Sequence, residues 1–167
     1  MITRYYIDTE FIERPGVLQL ISLGITDERG RDFYAVSSEF DETQANDFVR
    51  EQVLPKLGTI HRETHAQIKQ RLLKFVDDDQ PEFWGYFADY DWVLFCWILG
   101  TMMDLPAGWP MHCLDVKQIM HEHGIMREQL PDLPPGQAHN ALADARWTRS
   151  AHMIVNALTK KKRKARK

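Results

Sequence analysis

Tyr5-Tyr6-Ile7-Asp8-Thr9-Glu10 sets β-prone residues directly before two carboxylates in alternate positions. Aromatic and β-branched side chains favour extended backbone, which predicts a strand over Arg4 to Asp8. Working outward, Val17 to Thr26 is a longer, more apolar run. Asp27-Glu28-Arg29-Gly30 reads as a turn, and Asp32 to Val36 resumes with Phe33, Tyr34 and Val36. Three consecutive strands with short connections predict an antiparallel meander whose first strand is central. Side chains at i and i+2 leave a strand by one face. Asp8 and Glu10, at the strand's end, therefore present oxygens to one point, about 7 Å apart along the chain.

From Glu42 the period becomes helical: Ala45, Phe48, Val49 and Val53 share a face, and Pro55 ends the run. Thr64 with Gln67 is a capping box ahead of Ile68, Leu72, Leu73, Phe75 and Val76, predicting a helix to about Asp77. A strand follows at Glu82 to Tyr86, a helix at Asp89 to Leu99, and a short strand at Met111 to Leu114. Asp115 is placed to cap a helix up to about His123. Three prolines make Leu130 to Gly136 a loop, and a long helix is expected from Ala141 to Leu158. The order predicts an α/β domain: a mixed five-stranded sheet with helices on both faces.

The 167 residues are the length of one domain, and no internal repeat appears. Seven of the last eight residues are basic, which leaves residues 1–159 with 14 basic and 24 acidic side chains, a net −10. We therefore divide the chain into a domain over 1–159 and a basic tail over 160–167. The tail is expected to be disordered and able to tether nucleic acid. An acidic body that touches a polyanion needs metal ions or local basic spots. Trp92 to Met103, the longest apolar stretch, is 12 residues, against the ~20 a membrane span requires. The start, Met-Ile-Thr-Arg-Tyr-Tyr, lacks the basic and apolar regions of a signal peptide, and Cys96 and Cys113 lack CxxC spacing. A cytoplasmic protein with no membrane partner is expected.

Two further segments carry chemistry. His139 follows the proline-rich loop and Asp144 falls one turn into the last helix; Ala141, Ala143 and Ala145 leave that turn slim enough to approach another backbone. An imidazole beside a metal-bound acid is placed to deprotonate water. In Phe87-Ala88-Asp89-Tyr90-Asp91 one aspartate faces the site, because positions two apart on a helix diverge by about 200°. Asp89 suits an N-cap, and Asp91 is the site candidate. His61 with His65, and the His-Glu-His at 121–123, lack the placement of a zinc site. Asp77-Asp78-Asp79 reads as a solvated loop.

Asp8-x-Glu10, then Tyr90-Asp91, then His139-x4-Asp144, in that order, resemble the three motifs of the DEDDh 3′–5′ exonucleases of the ribonuclease H-like superfamily. Tyr6 to Glu13, the chain length and Leu54-Pro55-Lys56-Leu57 are similar to the short mycobacterial-type exoribonucleases. The resemblance covers residues 4–158. Asn140 stands where the sister DEDDy group has Tyr, so this is the His form. Phe87 replaces an Asn common in the second motif, and Phe11 replaces a Thr common after the first acids; both bear on how the terminal nucleotide is held.

The resemblance implies a ribonuclease H-like fold and two Mg²⁺ or Mn²⁺ ions per site. Two carboxylates about 4 Å apart repel by about 4 kcal/mol at an effective dielectric near 20, which two divalent ions would offset. Oxygen ligands suit these hard cations. In that arrangement Asp8 bridges both ions, and Glu10 and Asp144 bind the ion carrying the nucleophilic water. Asp91 reaches the second ion mainly through water, and His139 takes the proton. Phe11 and Trp92 flank the acids and, with Thr9, are the nucleotide-binding candidates. The expected activity is 3′–5′ hydrolysis at single-stranded 3′ ends, of RNA ahead of DNA. A proofreading or repair-type DNA exonuclease, or a non-catalytic nucleic-acid-binding module, are the alternatives. Homodimers are common in the resembling family, though no patch here compels one.

Overall fold

The computed structural model describes residues 2–165. Its elements are β1 (Ile2–Arg14), β2 (Val17–Asp27), β3 (Asp32–Ser37), β4 (Arg62–Glu63), α1 (His65–Val76), β5 (Gln80–Gly85), α2 (Asp89–Leu99), β6 (Leu114–Asp115), α3 (Val116–Glu122) and α4 (Ala141–Ala165). The strands form one sheet in the order β4-β3-β2-β1-β5-β6. β1, β2 and β3 are the antiparallel meander; β5 joins β1 in parallel, and β6 and β4 extend the two edges in parallel. Four of the five predicted strands stand near their expected bounds, while the one expected over Met111 to Leu114 forms at Leu114–Asp115 instead. The sixth is the two-residue β4, too short to leave a period-2 signal.

Alternation along the strands builds two cores. Tyr5, Ile7, Leu23, Ile25 and Phe83 face α1 and α2, meeting Ile68, Leu72, Leu94 and Phe95. Tyr6 and Trp84 face the other way, onto Val116 and Met120 of α3 and Ala151 and Val155 of α4. Asp8 and Glu10 share the parity of Tyr6, so they leave on the α4 side.

Three further boundaries differ from expectation, each for a local reason. β1 does not stop at Asp8 but runs to Arg14, because β2 pairs with it as far as Arg14–Val17. β5 pairs with β1 at residues 2–6 alone. The acids therefore sit within a strand, just beyond the point where its β5 neighbour ends. The helix expected from Glu42 to Val53 is broken into a 3₁₀ turn at Glu42–Gln44, a wide π-type turn at Val49–Val53 and a 3₁₀ turn at Leu54–Lys56. Asn46 Oδ1 accepts from Val49 N at 2.9 Å, and the wide turn buries Val49 and Val53 against Ile12, Ile21 and Val36. α4 runs past the expected Leu158 to Ala165, into the segment read as a basic tail; residues 166–167 lie outside the described residues. Lysine is a good helix former, and cations favour a helix C-terminus. Lys162 Nζ also donates to the carbonyls of His123 (2.6 Å) and Gly124 (3.1 Å) at the end of α3.

At the N-terminal end of β1 lies an ionic network. Asp27, with no exposed surface, accepts from Arg29 N and Arg31 N at 2.9 Å each and from Arg31 Nε at 2.6 Å. Asp79 accepts from Tyr5 Oη at 2.6 Å and pairs with Arg31 (3.1 Å) and Arg29 (3.3 Å). The loop read as solvated is thus tied down through Asp79.

Candidate active site

The opposite half of β1 carries acids with a different fate. Asp8 pairs across the sheet with Gly24 of β2. A Cβ on Gly24 would lie 2.2 Å from the Ala141 carbonyl carbon, so this glycine lets the start of α4 lie directly on the sheet. The slim Ala141 turn uses that space. Asn140 caps α4, its Oδ1 accepting from Ala143 N at 3.1 Å. Asp144, one turn in, folds back so that Oδ2 accepts from His139 N at 2.8 Å. The result is that Asp8, Glu10 and Asp144 each bring a carboxylate oxygen within 4.8 Å of the others.

Asp91 arrives from the open edge of β1. With no β5 partner at that level, Thr9 N donates to Asp91 Oδ1 at 2.9 Å and Thr9 Oγ1 does so at 2.5 Å. Asp91 is 6% exposed. Asp89, two residues earlier, is exposed and lines a different cavity. It is not the N-cap expected of it, since Ala88 holds that position.

The acids share little countercharge. Burial, then Asp144 and Asp91, push Glu10 up to about 8. Burial also pushes Asp91 up to about 6 against the two Thr9 hydrogen bonds. Burial and the three neighbouring carboxylates hold Asp8 well above its usual range, and burial raises Asp144. Lys56 opposes this at Glu10 and, after His139, at Asp144; its Nζ also donates to Ala138 O at 2.5 Å. Asn140 Nδ2 returns a bond to Lys56 O at 3.4 Å. Lys56 was quoted in the sequence as part of Leu54–Leu57 but not as a site residue; its role depends on a loop contact 82 residues away.

His139 has φ 63°, a left-handed conformation that His tolerates better than most side chains. Its ring meets the exposed Phe48 edge-on at 4.9 Å. His139 lines, with Asp8, Thr9, Glu10 and Asp144, a cavity of about 330 Å³ completed by Tyr86, Arg127, Leu133, Ala138, Trp147 and Thr148.

The two aromatics expected beside the acids lie elsewhere. Phe11 follows Glu10 by one residue, leaves by the opposite face and packs edge-on against Tyr90 at 5.5 Å. Trp92 stacks on Phe95 at 5.2 Å and contacts Phe83. Tyr86 and Trp147 stand in the cavity instead, in a T-shaped pair 5.0 Å apart. The odd–even rule could have turned Phe11 away; no local signal marks Trp147, whose place depends on α4 and on the bond from its Nε1 to Pro131 O at 2.7 Å. Asp115 has both oxygens engaged, accepting from Lys117 N (2.6 Å) and Ala88 N (3.1 Å).

An all-oxygen donor set with raised proton affinity and few cations fits a hard divalent ion. The acidic cluster and the fold together point to divalent metal use. Among the described residues no helix is long and apolar enough to cross a membrane.

Comparison with known proteins agrees with this geometry. The family model described as the 3'-5' exoribonuclease Rv2179c-like domain matches residues 3–155. The 3'-5' exoribonuclease Rv2179c of Mycobacterium tuberculosis (strain ATCC 25618 / H37Rv) is 38% identical over 151 residues, covering 86% of this chain and 87% of that protein. Among solved structures, exonuclease I from Methylocaldum szegediense superposes with a TM-score of 0.66 at 13% identity over 94% of this chain. The zinc-bound complex of E. coli exonuclease I with single-stranded DNA gives 0.64 at 13% identity, again over 94%. This chain spans 41% of each of those two, and the likeness establishes a shared ribonuclease H-like fold. The chain is therefore a nuclease of the Rv2179c-like 3'-5' exoribonuclease domain family.

Proposed function

We propose that this protein removes nucleotides from the 3′ end of single-stranded RNA using two divalent ions, Mg²⁺ or Mn²⁺. The observation that carries the reading is the meeting of Asp8, Glu10 and Asp144 within 4.8 Å with Asp91 alongside. These four residues would hold the ions. When bound, the ions offset the acids' charge, hold the scissile phosphate and lower the barrier to attack by water and departure of the 3′ oxygen. Asp8 is central, flanked by all three other acids. Thr9 fixes Asp91 through two hydrogen bonds and so acts on the site by positioning.

His139 is the general base in this reading. His139 lines the cavity and its backbone N–H donates to Asp144, which supports a base held beside the acids. Lys56 steadies the preceding peptide by bonding Ala138 O. Tyr86 and Trp147 offer the apolar wall for the terminal base. The cavity of about 330 Å³ is of a size to take one nucleotide.

The preference for RNA rests on the exoribonuclease relative. The single-stranded substrate draws support from the exonuclease I complexes, which hold single-stranded DNA. Residues 1–159 are read as the catalytic domain and 160–167 as a basic extension that adds electrostatic attraction. The free Cys96 and Cys113 suit a reducing cytoplasm. The test is hydrolysis of matched 5′-labelled RNA and DNA oligomers in Mn²⁺: a ladder shortening from the 3′ end, faster on RNA, is expected. Faster cutting of DNA would favour the repair-type alternative, and no cutting of either would leave a binding module.

A further inference from the structure

Phe87 stands out for its backbone and for its exposure. Its φ is 60°, a region that bulky side chains seldom enter, and the residue is 63% exposed. Nothing in the core needs that ring, and glycine or asparagine would take the same backbone without strain. It closes a row of three aromatics: Trp147 meets Tyr86 edge-on at 5.0 Å, and Tyr86 meets Phe87 edge-on at 5.0 Å. A cation sits over each end, Arg127 at 4.8 Å from the Trp147 centroid and Lys117 at 5.6 Å from that of Phe87.

The row also adjoins two cavities. Tyr86 lines the acid cavity, and Ala88 lines a second of about 570 Å³ together with Asp89, Trp92, His112, Lys117 and His121. Phe87 stands in the chain between Tyr86 of the first lining and Ala88 of the second. The second cavity holds the exposed Asp89 and also Asp115, whose carboxylate accepts from two backbone N–H groups, and Lys117 supplies its positive charge.

We propose that Phe87 and Lys117 seat the nucleotide that precedes the one in the acid cavity, the ring stacking on its base and the ammonium pairing with its phosphate. Aromatic rings interleaved with cations bind single strands whatever their sequence. The proposal rests on the nuclease reading for placing the 3′ end among the acids. It adds the path by which the strand leaves, past Phe87 and toward His112 and His121.

The test measures the Kd of a fluorescein-labelled single-stranded RNA by anisotropy in Ca²⁺, for the full chain and for Phe87→Asn, Phe87→Trp and Lys117→Ala. Phe87→Asn should raise Kd about tenfold, the scale of one lost base stack, while its melting temperature does not fall. Phe87→Trp should retain binding. Lys117→Ala should flatten the dependence of log Kd on log salt by about 0.7, one phosphate contact on a single strand. Unchanged Kd in Phe87→Asn and Lys117→Ala would overturn the proposal. Hydrolysis by the unmodified chain in Mn²⁺ separates the two readings. RNA cut with Kd indifferent to Phe87 ends the proposal alone, and RNA held through Phe87 but never cut ends the nuclease reading alone.

Discussion

Acids gather beside the start of β1 and again further along it, and they are treated in opposite ways. Near its start, Asp27 and Asp79 are enclosed by Arg29, Arg31 and Tyr5, and the Tyr5 hydrogen bond with the Arg29 charge holds Asp79 below its usual range. Further along, Asp8, Glu10, Asp91 and Asp144 face one another with Lys56 as an opposing cation, and their proton affinities rise. A carboxylate paired from within supports the fold. A carboxylate buried without a partner costs stability unless a cation from solution completes it. The difference separates acids that hold the molecule together from acids that do its chemistry.

The largest effect should come from removing a cleft acid. Asp8→Ala or Asp144→Ala is expected to abolish RNA hydrolysis while circular dichroism stays native; turnover near the unmodified rate in either would contradict the site. His139→Ala should lower the rate by about 10²–10⁴-fold, the scale of general base catalysis. A rate that stays unchanged would mean that water loses its proton by another route.

Stability should move in opposite directions at the two clusters. With chelator present at pH 8, Glu10→Gln is expected to raise the melting temperature by roughly 5 °C, each kcal/mol being worth about 2–4 °C at this size. The sign follows from linkage. Glu10 is raised from 4.5 to about 8, so its stabilising protonated form is fully present below pH 4.5 and lost as pH climbs to 8. The advantage of Gln should therefore open across that window. Asp79→Asn should instead destabilise by roughly 1–2 kcal/mol at neutral pH. Because Asp79 is lowered in the fold, this loss should shrink as pH falls below its ordinary 3.8. Thermal melts that move the same way for both variants would erase the distinction.

Much of this was legible in the chain. The Thr64–Gln67 capping box begins α1, and α2 spans Asp89–Leu99 as its apolar run predicts. The alanine-lined turn after His139 does approach another backbone, at Gly24. What escaped depends on distant partners. Lys56 reaches the acids through a loop far along the chain, Asp79 is held by arginines from the β2–β3 turn, and Trp147 faces the cleft because α4 lies where Gly24 lets it. Phe11 packs on Tyr90 on the face opposite Glu10, a placement that strand parity makes legible.

The comparison between the two clusters comes down to whether the cleft is completed by metal. Titration of the chelator-treated protein with Mn²⁺ by calorimetry at pH 7, in two buffers of different ionisation heat, tests this directly. Two ions per chain should bind with net release of protons, since Glu10 with a pKa of about 8 is largely protonated beforehand. Asp8→Asn with Asp144→Asn should remove that signal. Heats that are independent of buffer, or equal in the unmodified and doubly substituted chains, would contradict the account.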